Sequence, residues 1–226
     1  MKRAVALLLV IIMCLSICSC ASKKDLLNDE ELVSQLCSKI GEKESEDLVD
    51  QYVMFHFVYK VMYGGSETSL KSIEEKKSGS YSVIGELQIN WQDELTGENS
   101  EEYVPFTADF STDENGEISC DSWELETSDD SLLSDAYTDK KIERRAFLKV
   151  YDEVDSKFKT ADASSSKFNI NKIERDGDEV CVYGTVVLYD KYGSLTAGWR
   201  DGSGSSSHSF KVRMSSSGVI LSCNLE

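Results

Sequence analysis

The chain has 226 residues and a formal net charge of −17, from 41 acidic and 24 basic side chains. This balance argues against a nucleic-acid-binding protein, because affinity for nucleic acid comes largely from Lys and Arg side chains that neutralise phosphates. It also argues against a protein that lies flat on anionic lipid. The length allows one or two domains of ordinary size.

The first residues have the composition of an export signal. Lys2 and Arg3 precede the apolar run AVALLLVIIMCLSI, and small residues follow it. The run has about 14 residues, whereas a helix needs about 20 to span a bilayer. We therefore predict a signal peptide over residues 1–19, with ordinary cleaved secretion or an uncleaved anchor as the alternatives to a lipoprotein.

The segment Ile17-Cys18-Ser19-Cys20 resembles the lipobox of bacterial lipoproteins, in which an aliphatic, a variable and a small residue precede the modified cysteine. The resemblance implies lipidation of Cys20 and attachment to the membrane through its acyl chains, with residues 20–27 as a short linker. It also implies a location on the extracytoplasmic face of the cell membrane, or in the outer membrane of a Gram-negative source. A metal cluster is not expected here, because no His or acidic residue lies nearby.

Helical patterns follow the linker. Asn28 is the predicted N-cap of a first helix whose apolar period continues to Ile40, and Gly41 is predicted to end it. A longer helix is predicted from Ser45 to the glycine pair Gly64-Gly65. Its middle, YVMFHFVYKVMY, is apolar nearly all round, which predicts burial on more than one side. A strand is the alternative for this run.

The apolar period then changes to two. Alternation across YSVIGELQINW predicts a half-buried antiparallel strand over Tyr81–Trp91. Shorter strands are predicted around Val104–Phe110 and Ile118–Leu125, joined by the turn DENG.

The same order recurs in the second half. Leu132, Leu133 and Ala136 predict a short helix, and Thr138 is the predicted cap of a longer one. The longer helix has an apolar stripe formed by Ile142, Ala146, Val150, Val154 and Phe158. Strands are predicted at Val180–Leu188, Phe210–Met214 and Val219–Leu225.

Residue matches at an offset near 100 indicate a duplication. The matches are Ile73-Glu74 with Ile173-Glu174, Val83-Ile84-Gly85 with Val182-Tyr183-Gly184, Phe106 with Phe210, Gly116 with Gly218, and Ser119-Cys120 with Ser222-Cys223. The glycine at one register of both long strands predicts a bend or a close helix crossing. The predicted fold class is α+β, with tandem repeats over residues 28–127 and 128–226. Each repeat consists of helices followed by a roughly four-stranded, curved antiparallel sheet.

This element order resembles the cystatin-like α+β roll, the group that includes nuclear-transport-factor-like and ketosteroid-isomerase-like domains. The resemblance implies a curved sheet around a helix, with a concave pocket that some members use for ligands. It implies no catalytic residue in this sequence.

Few residues point to chemistry, and no cofactor, metal site or catalytic residue is predicted. His56 is expected in the core and His208 at the surface, and neither has a metal-ligand spacing. The cysteines Cys37, Cys120, Cys181 and Cys223 occupy apolar or strand positions typical of packed thiols, although disulfides remain an alternative.

The loop GWRDGSGSSS is the one distinctive surface segment. A flexible hairpin loop is the simpler interpretation. If it binds a ligand, Trp199 and Arg200 are the predicted anchors, because aromatic and Arg side chains dominate recognition energetics.

The sequence therefore predicts a membrane-anchored lipoprotein with a non-catalytic role, either ligand binding or protein interaction in the cell envelope. Its expected partners are the membrane, through the lipid on Cys20, and a small ligand or an envelope protein. The alternative is an enzyme of ketosteroid-isomerase-like type acting in a roll pocket. A cavity lined with aromatic residues would favour a ligand, whereas a filled core with an exposed apolar patch would favour a protein partner.

Overall fold

A computed structural model describes residues 26–190 and 205–226. A short 3-10 turn, Leu26–Asn28, precedes the first helix. The helices are α1 (Glu30–Tyr59) and α2 (Asp139–Lys157). The strands are β1 (Val61–Lys77), β2 (Ser80–Asp93), β3 (Asn99–Thr112), β4 (Ile118–Leu125), β5 (Ala161–Asp176), β6 (Glu179–Asp190), β7 (Ser205–Ser215) and β8 (Ile220–Leu225). Within these residues, neither helix is long and apolar enough to cross a membrane.

Helix α1 is one continuous helix of 30 residues, so the predicted break between Gly41 and Ser45 is wrong. Its N-cap is Asp29, whose side chain accepts a hydrogen bond from the main-chain N–H of Leu32, and not the predicted Asn28. The helix continues because buried side chains recur every four residues on both sides of the glycine. They are Leu36, Ile40, Glu44, Leu48 and Tyr52. Burial of this stripe outweighs the cost of a helical glycine, about 1 kcal/mol.

The helix ends before the predicted glycine pair. Lys60 adopts the left-handed conformation (φ 54°, ψ 41°), and β1 starts at Val61. The run YVMFHFVYKVMY is therefore helical up to Tyr59 and extended from Val61 onward. Val61 is 8% exposed and packs in the hydrophobic core of the first half of the chain, which we call the first core. Its burial favours the change from helix to strand at Lys60.

The strands form two four-stranded antiparallel sheets, in the orders β1-β2-β3-β4 and β5-β6-β7-β8. Helix α1 packs on the first sheet and α2 on the second. The sequence predicted three strands of each sheet, and β1 and β5 complete them. The fold class α+β is confirmed, but among the described residues one α-helix, and not two, packs on each sheet.

The short helix predicted around Leu132 is absent from the described residues. Leu132 and Leu133 lie in a turn, 3% and 5% exposed, and pack into the first core. The main-chain N–H of Leu132 donates to Glu102 Oε1 at 2.9 Å. These apolar residues therefore anchor the segment between β4 and α2 to the first half of the chain.

Each sheet has a glycine covered by a phenyl ring from the next strand. Gly85 lies opposite Phe106 and Gly184 lies opposite Phe210. A Cβ atom at Gly85 would lie 2.4 Å from Cζ of Phe106, and a Cβ atom at Gly184 would lie 2.3 Å from Cζ of Phe210. The predicted close approach is therefore made by a neighbouring ring and not by a helix.

The strand register corrects one proposed match between the halves. Phe106 and Phe210 are the rings that cover the two glycines. Two residues after them, Ala108 pairs with Trp123 and Val212 pairs with Cys223. The residue that corresponds to Cys223 is therefore Trp123, and not Cys120, because the β3–β4 hairpin is longer than the β7–β8 hairpin.

Large side chains fill the space between each helix and its sheet. In the first half, Phe55, Trp91, Phe106 and Phe110 are each at most 1% exposed. In the second half, Val150, Val182, Leu188 and Val212 are fully buried. The face of each sheet that packs on its helix is thus occupied by core side chains.

Helix α2 also connects the two halves. Arg144 donates from Nε to the main-chain oxygen of Tyr59 at 2.7 Å and from Nη2 to that of Lys60 at 2.9 Å. Its guanidinium also pairs with Asp93. Lys140 forms a second ion pair across the junction, with Glu102 at 3.2 Å.

Candidate interaction surface

The residues proposed from the sequence as functional, Cys20, Trp199 and Arg200, lie outside the described residues. Their predicted roles in lipidation and ligand binding stay predictions.

Helix α1 has a second apolar face that points away from the core. Val49, Val53 and Phe57 follow one another at four-residue intervals and are 50%, 51% and 69% exposed. Met54, 47% exposed, lies beside them. We call these four residues the α1 stripe. Residues spaced by four lie above one another on a helix, so the stripe is one continuous apolar strip.

A groove of about 500 Å³ runs between the α1 stripe and the start of β1. It is lined by Glu44, Ser45, Val49, Tyr52, Val53, His56, Phe57, Met62 and Tyr63. Most of these side chains are apolar or aromatic, and the groove lies where α1 meets the edge strand β1. It differs in this respect from the predicted pocket on the concave side of the sheet.

Three aromatic rings form a fixed base for the groove. Tyr52 and Tyr63 stack with their ring centroids 4.0 Å apart and their planes 7° from parallel. Trp91 meets both rings edge-on, at 5.6 Å and 6.2 Å. Because Tyr52 and Trp91 are buried, this base is held by the first core.

A buried carboxylate joins α1 to β1 beneath the groove. Glu44, 4% exposed, accepts hydrogen bonds at Oε1 from the hydroxyls of Tyr52 (2.5 Å) and Tyr63 (2.9 Å). Its Oε2 accepts one from Ser66 Oγ at 2.5 Å. Burial and the hydrogen bonds to Glu44 together raise the pKa of Tyr52 above its usual range. Burial also raises the pKa of Tyr63. Both tyrosines thus keep their protons and act as hydrogen-bond donors to the Glu44 carboxylate.

Acidic side chains flank the α1 stripe. Between Glu42 and Phe57, α1 carries five carboxylates (Glu42, Glu44, Glu46, Asp47 and Asp50) and one lysine. Glu44 is buried beneath the groove and Asp47 accepts a hydrogen bond from Trp123 Nε1 of β4, whereas Glu46 and Asp50 are exposed next to the stripe. That lysine, Lys43, is paired with Glu46 at 2.9 Å.

The two histidines occupy positions different from those predicted. The His56 side chain is 41% exposed at the groove, with Nδ1 3.3 Å from Glu94 Oε1, so the predicted core position is wrong. His208 is only partly exposed, and its ring packs on Phe158 with the centroids 4.7 Å apart. Its Nε2 is 2.8 Å from Ser206 Oγ.

The four described cysteines, Cys37, Cys120, Cys181 and Cys223, are free thiols and partly buried. Burial raises the pKa of Cys37, Cys120 and Cys223, which favours the neutral thiol over the reactive thiolate. Among the described residues, no group of three or more His, Cys, Asp or Glu side chains is arranged to hold a metal ion.

Neither the α1 stripe nor the role of Glu44 was predicted from the sequence. The apolar run that contains the stripe was interpreted as buried on more than one side, although one of its faces is exposed. Glu44 had a detectable signal, because it lies four residues from both Ile40 and Leu48 on the buried stripe. A carboxylate in such a position needs hydrogen-bond partners.

Comparison with known proteins identifies no family. No family model matches the sequence, and no curated protein matches it. A solved structure described as "Ntf2 like protein involved in plasmid conjugation" aligns with 71% of this chain and 78% of its own, at 13% sequence identity and a TM-score of 0.22. A similarity with so low a TM-score carries no argument about this chain.

Proposed function

We propose that this protein is a lipid-anchored, extracytoplasmic component of the cell envelope that binds another protein without catalysing a reaction. In this proposal Cys20 carries the lipid and the α1 stripe with its groove forms the contact surface. The fold is a tandem duplication of one cystatin-like α+β roll.

The observation that supports a protein partner is the exposure of the α1 stripe beside filled cores. Monomeric soluble proteins rarely leave contiguous apolar patches without a function. A small-molecule site buries most of the surface of its ligand. The aromatic-lined groove of about 500 Å³ beside α1 is open to solvent, and the space between each helix and its sheet is filled by residues such as Phe55 and Trp91. An exposed strip on a helix instead offers a surface on which a protein segment can pack.

The ketosteroid-isomerase-like alternative receives little support from this geometry. Glu44 is the buried carboxylate nearest the groove, and both of its oxygens already accept hydrogen bonds from hydroxyl groups. A general base needs a free lone pair directed at the substrate. Glu44 is better suited to hold α1 on β1.

Shared irregularities of the two sheets support the duplication. Leu70 of β1 and Ile170 of β5 pair with the covered glycines, and a register shift follows each of them directly, between Leu70 and Ser72 and between Ile170 and Lys172. The pairing of the third strand with the fourth also shifts at the same place in both sheets, between Asp109 and Phe110 and between Arg213 and Met214. Irregularities of this kind are typically retained within a family.

Site-directed photo-crosslinking in the native membrane tests the contact surface. A photoreactive amino acid replaces Val53 in the full-length chain, and the control replaces Ile84, which is equally exposed (52%) on the outer face of the first sheet. We expect a discrete protein adduct from Val53 and none from Ile84. Absence of an adduct at Val53, or equal labelling at both positions, would contradict the proposal.

The anchor is tested separately. The Cys20→Ser variant is expected to lose both incorporation of an alkynyl fatty acid and sedimentation with the membrane fraction. The Cys18→Ser variant retains the modified cysteine and serves as the control. Fatty-acid labelling of Cys20→Ser at the wild-type level would refute lipidation at this residue.

A further inference from the structure

We propose that the α1 stripe binds a basic amphipathic helix of the partner protein, an inference that rests on the proposed function. The proposal follows from the shape of the stripe and from the charges that border it. It names the chemistry of the partner, which the exposed apolar residues alone leave open.

The shape of the stripe suits a helix. Phe57 follows Val49 by eight positions, about 12 Å along α1 at 1.5 Å per residue. Rows of side chains spaced by four are the ridges along which one helix packs into the grooves of another. The groove between this row and Met62 provides a depression beside the ridge. An apolar helix face with anchors at similar intervals would fill it.

The border of the stripe determines the charge of the partner. Glu46 precedes Val49 by three residues, and Asp50 precedes Val53 and Met54 by three and four. Side chains at these spacings are neighbours on a helix surface. Lys43 pairs with Glu46 and partly offsets that carboxylate, and Lys60 lies 3.9 Å from Glu94, so the negative charge of the border is carried chiefly by Asp50. Lys or Arg residues flanking an apolar helix face would complement this border.

The same charges disfavour two other occupants. A second copy of this chain, packed stripe to stripe, would bring the Glu46 and Asp50 carboxylates of both copies together, and like charges at an interface are costly. An anionic lipid surface would meet the same repulsion, added to that of a chain with 41 acidic and 24 basic residues. A basic protein segment is the occupant that gains from both the stripe and its border.

The test uses the full-length protein in zwitterionic lipid nanodiscs and a fluorescent 18-residue Leu/Lys peptide with its leucines on one helical face. Two control peptides replace Lys with Glu or scramble the order so that the apolar face is lost. Empty nanodiscs provide the blank that is subtracted. We expect the Leu/Lys peptide to bind at least about tenfold more tightly than either control, with an affinity that falls as salt rises.

Variants of the protein assign the binding to this surface. Phe57→Ser should weaken binding about tenfold or more, because truncation of a central aromatic anchor has effects of this size. Glu46→Gln and Asp50→Asn should each weaken it about two- to fivefold and reduce the salt dependence. Ile84→Ser and Glu124→Gln change exposed residues of the first sheet and should leave binding unchanged. Circular dichroism verifies folding, and Val53→Ser replaces Phe57→Ser if the latter is unfolded.

Several results would overturn the inference. One is equal binding of the Leu/Glu and Leu/Lys peptides, and another is peptide binding that neither Phe57→Ser nor Val53→Ser weakens. A third is that the peptide does not bind, while the protein dimerises or binds anionic vesicles in a way that depends on Phe57. If the Val53 photo-crosslink is present and the peptides show no preference, the partner class is wrong and the protein-binding function stands. If the crosslink is absent, the function itself fails.

Discussion

Arg144 of α2 donates a hydrogen bond to the main-chain oxygen of Tyr59, the last residue of α1, at 2.7 Å. The last carbonyl groups of a helix have no partner within it, and a cation at this end interacts favourably with the helix dipole. The second half of the chain thus caps the helix of the first half. The same guanidinium pairs with Asp93 at the end of β2, so one side chain connects three elements.

Substitution Arg144→Met should therefore destabilise the protein by about 2 kcal/mol. Asp93 would keep a carboxylate with only 18% of its side chain exposed and would lose the cation beside it. Urea unfolding measures the change. The matched control is Arg175→Met, because the Arg175–Asp139 pair is about half exposed on both sides and should contribute less than about 1 kcal/mol. Equal effects of the two variants would show that the capping contact is not specific.

The same ion pair predicts a dependence on pH. Burial opposes ionisation of Asp93, but hydrogen bonds from Arg144 and from the main-chain N–H groups of Thr96 and Leu95 outweigh it, so the pKa of Asp93 lies below its ordinary value. A lowered pKa in the folded state adds stability above the unfolded pKa, about 4, and this stability is lost as pH falls through the folded value.

Between about pH 5 and pH 2 the wild type should therefore lose more stability than the Asp93→Asn variant, and the two unfolding free energies should converge. Urea unfolding at a series of pH values gives the comparison. Parallel pH curves would mean that Asp93 titrates alike in the folded and unfolded chains. The exposed Asp129→Asn variant is the control, expected to follow the wild type.

The two ring-covered glycines should be intolerant of a methyl group. In Gly85→Ala the new Cβ would lie 2.4 Å from Phe106 Cζ and 2.8 Å from the Ser69 main-chain oxygen, so the ring has to move. Overpacking of this kind costs about 1–3 kcal/mol. Gly184→Ala should behave in the same way against Phe210. The double variant Gly85→Ala/Phe106→Leu should recover part of the loss, and simple additivity would argue against the ring as the cause.

The parts of the fold that the sequence predicted correctly are those where local pattern and burial agree. The alternation in Tyr81–Trp91 reflects a strand with one face in the core, and Thr138 caps α2 as its position before an apolar stripe indicates. The errors lie where distant contacts decide. The turn containing Leu132 lacks a helix because its apolar residues enter a core formed by residues far away in the chain.

The candidate surface was missed for a related reason. An apolar run such as YVMFHFVY has no internal mark that separates a face covered by a sheet from a face left open. The exposure of Val53 and Phe57 depends on where β1 turns away after Lys60, and that turn is stabilised by tertiary contacts from Arg144 and Glu94. The bordering carboxylates Glu46 and Asp50 were the local sign that this side of the helix faces water.

Gly41 offers a direct test of the continuous helix. A Cβ added at this position would have no atom within 4 Å, so Gly41→Ala should stabilise the protein by about 0.5–1 kcal/mol through helix propensity. Gly97 also has open space, but its φ of +72° is left-handed, and Gly97→Ala should destabilise. If α1 is unbroken, thermal unfolding should show a higher melting temperature for Gly41→Ala and a lower one for Gly97→Ala. If Gly41 instead ended a helix in the left-handed conformation, both shifts would be downward.

The Glu44 site predicts different effects for two substitutions at one position. Glu44→Gln keeps an oxygen for the hydroxyls of Tyr52 and Tyr63 and an amide that can donate to Ser66, so it should cost only about 1 kcal/mol. Glu44→Leu removes the acceptor of the Tyr52 and Ser66 hydroxyls, while the Tyr63 hydroxyl keeps Ser66 Oγ at 3.0 Å, and it should cost about 2–3 kcal/mol.

Urea unfolding measures both losses, and near-ultraviolet circular dichroism reports the Tyr52–Tyr63–Trp91 packing. The exposed Glu42→Gln variant is the control and should change stability by less than about 0.5 kcal/mol. Because the aromatic base supports the groove, Glu44→Leu should also weaken the binding of the Leu/Lys peptide, whereas Glu44→Gln should leave that binding unchanged. An equal, small effect of both substitutions on stability would mean that Glu44 does not hold α1 on β1.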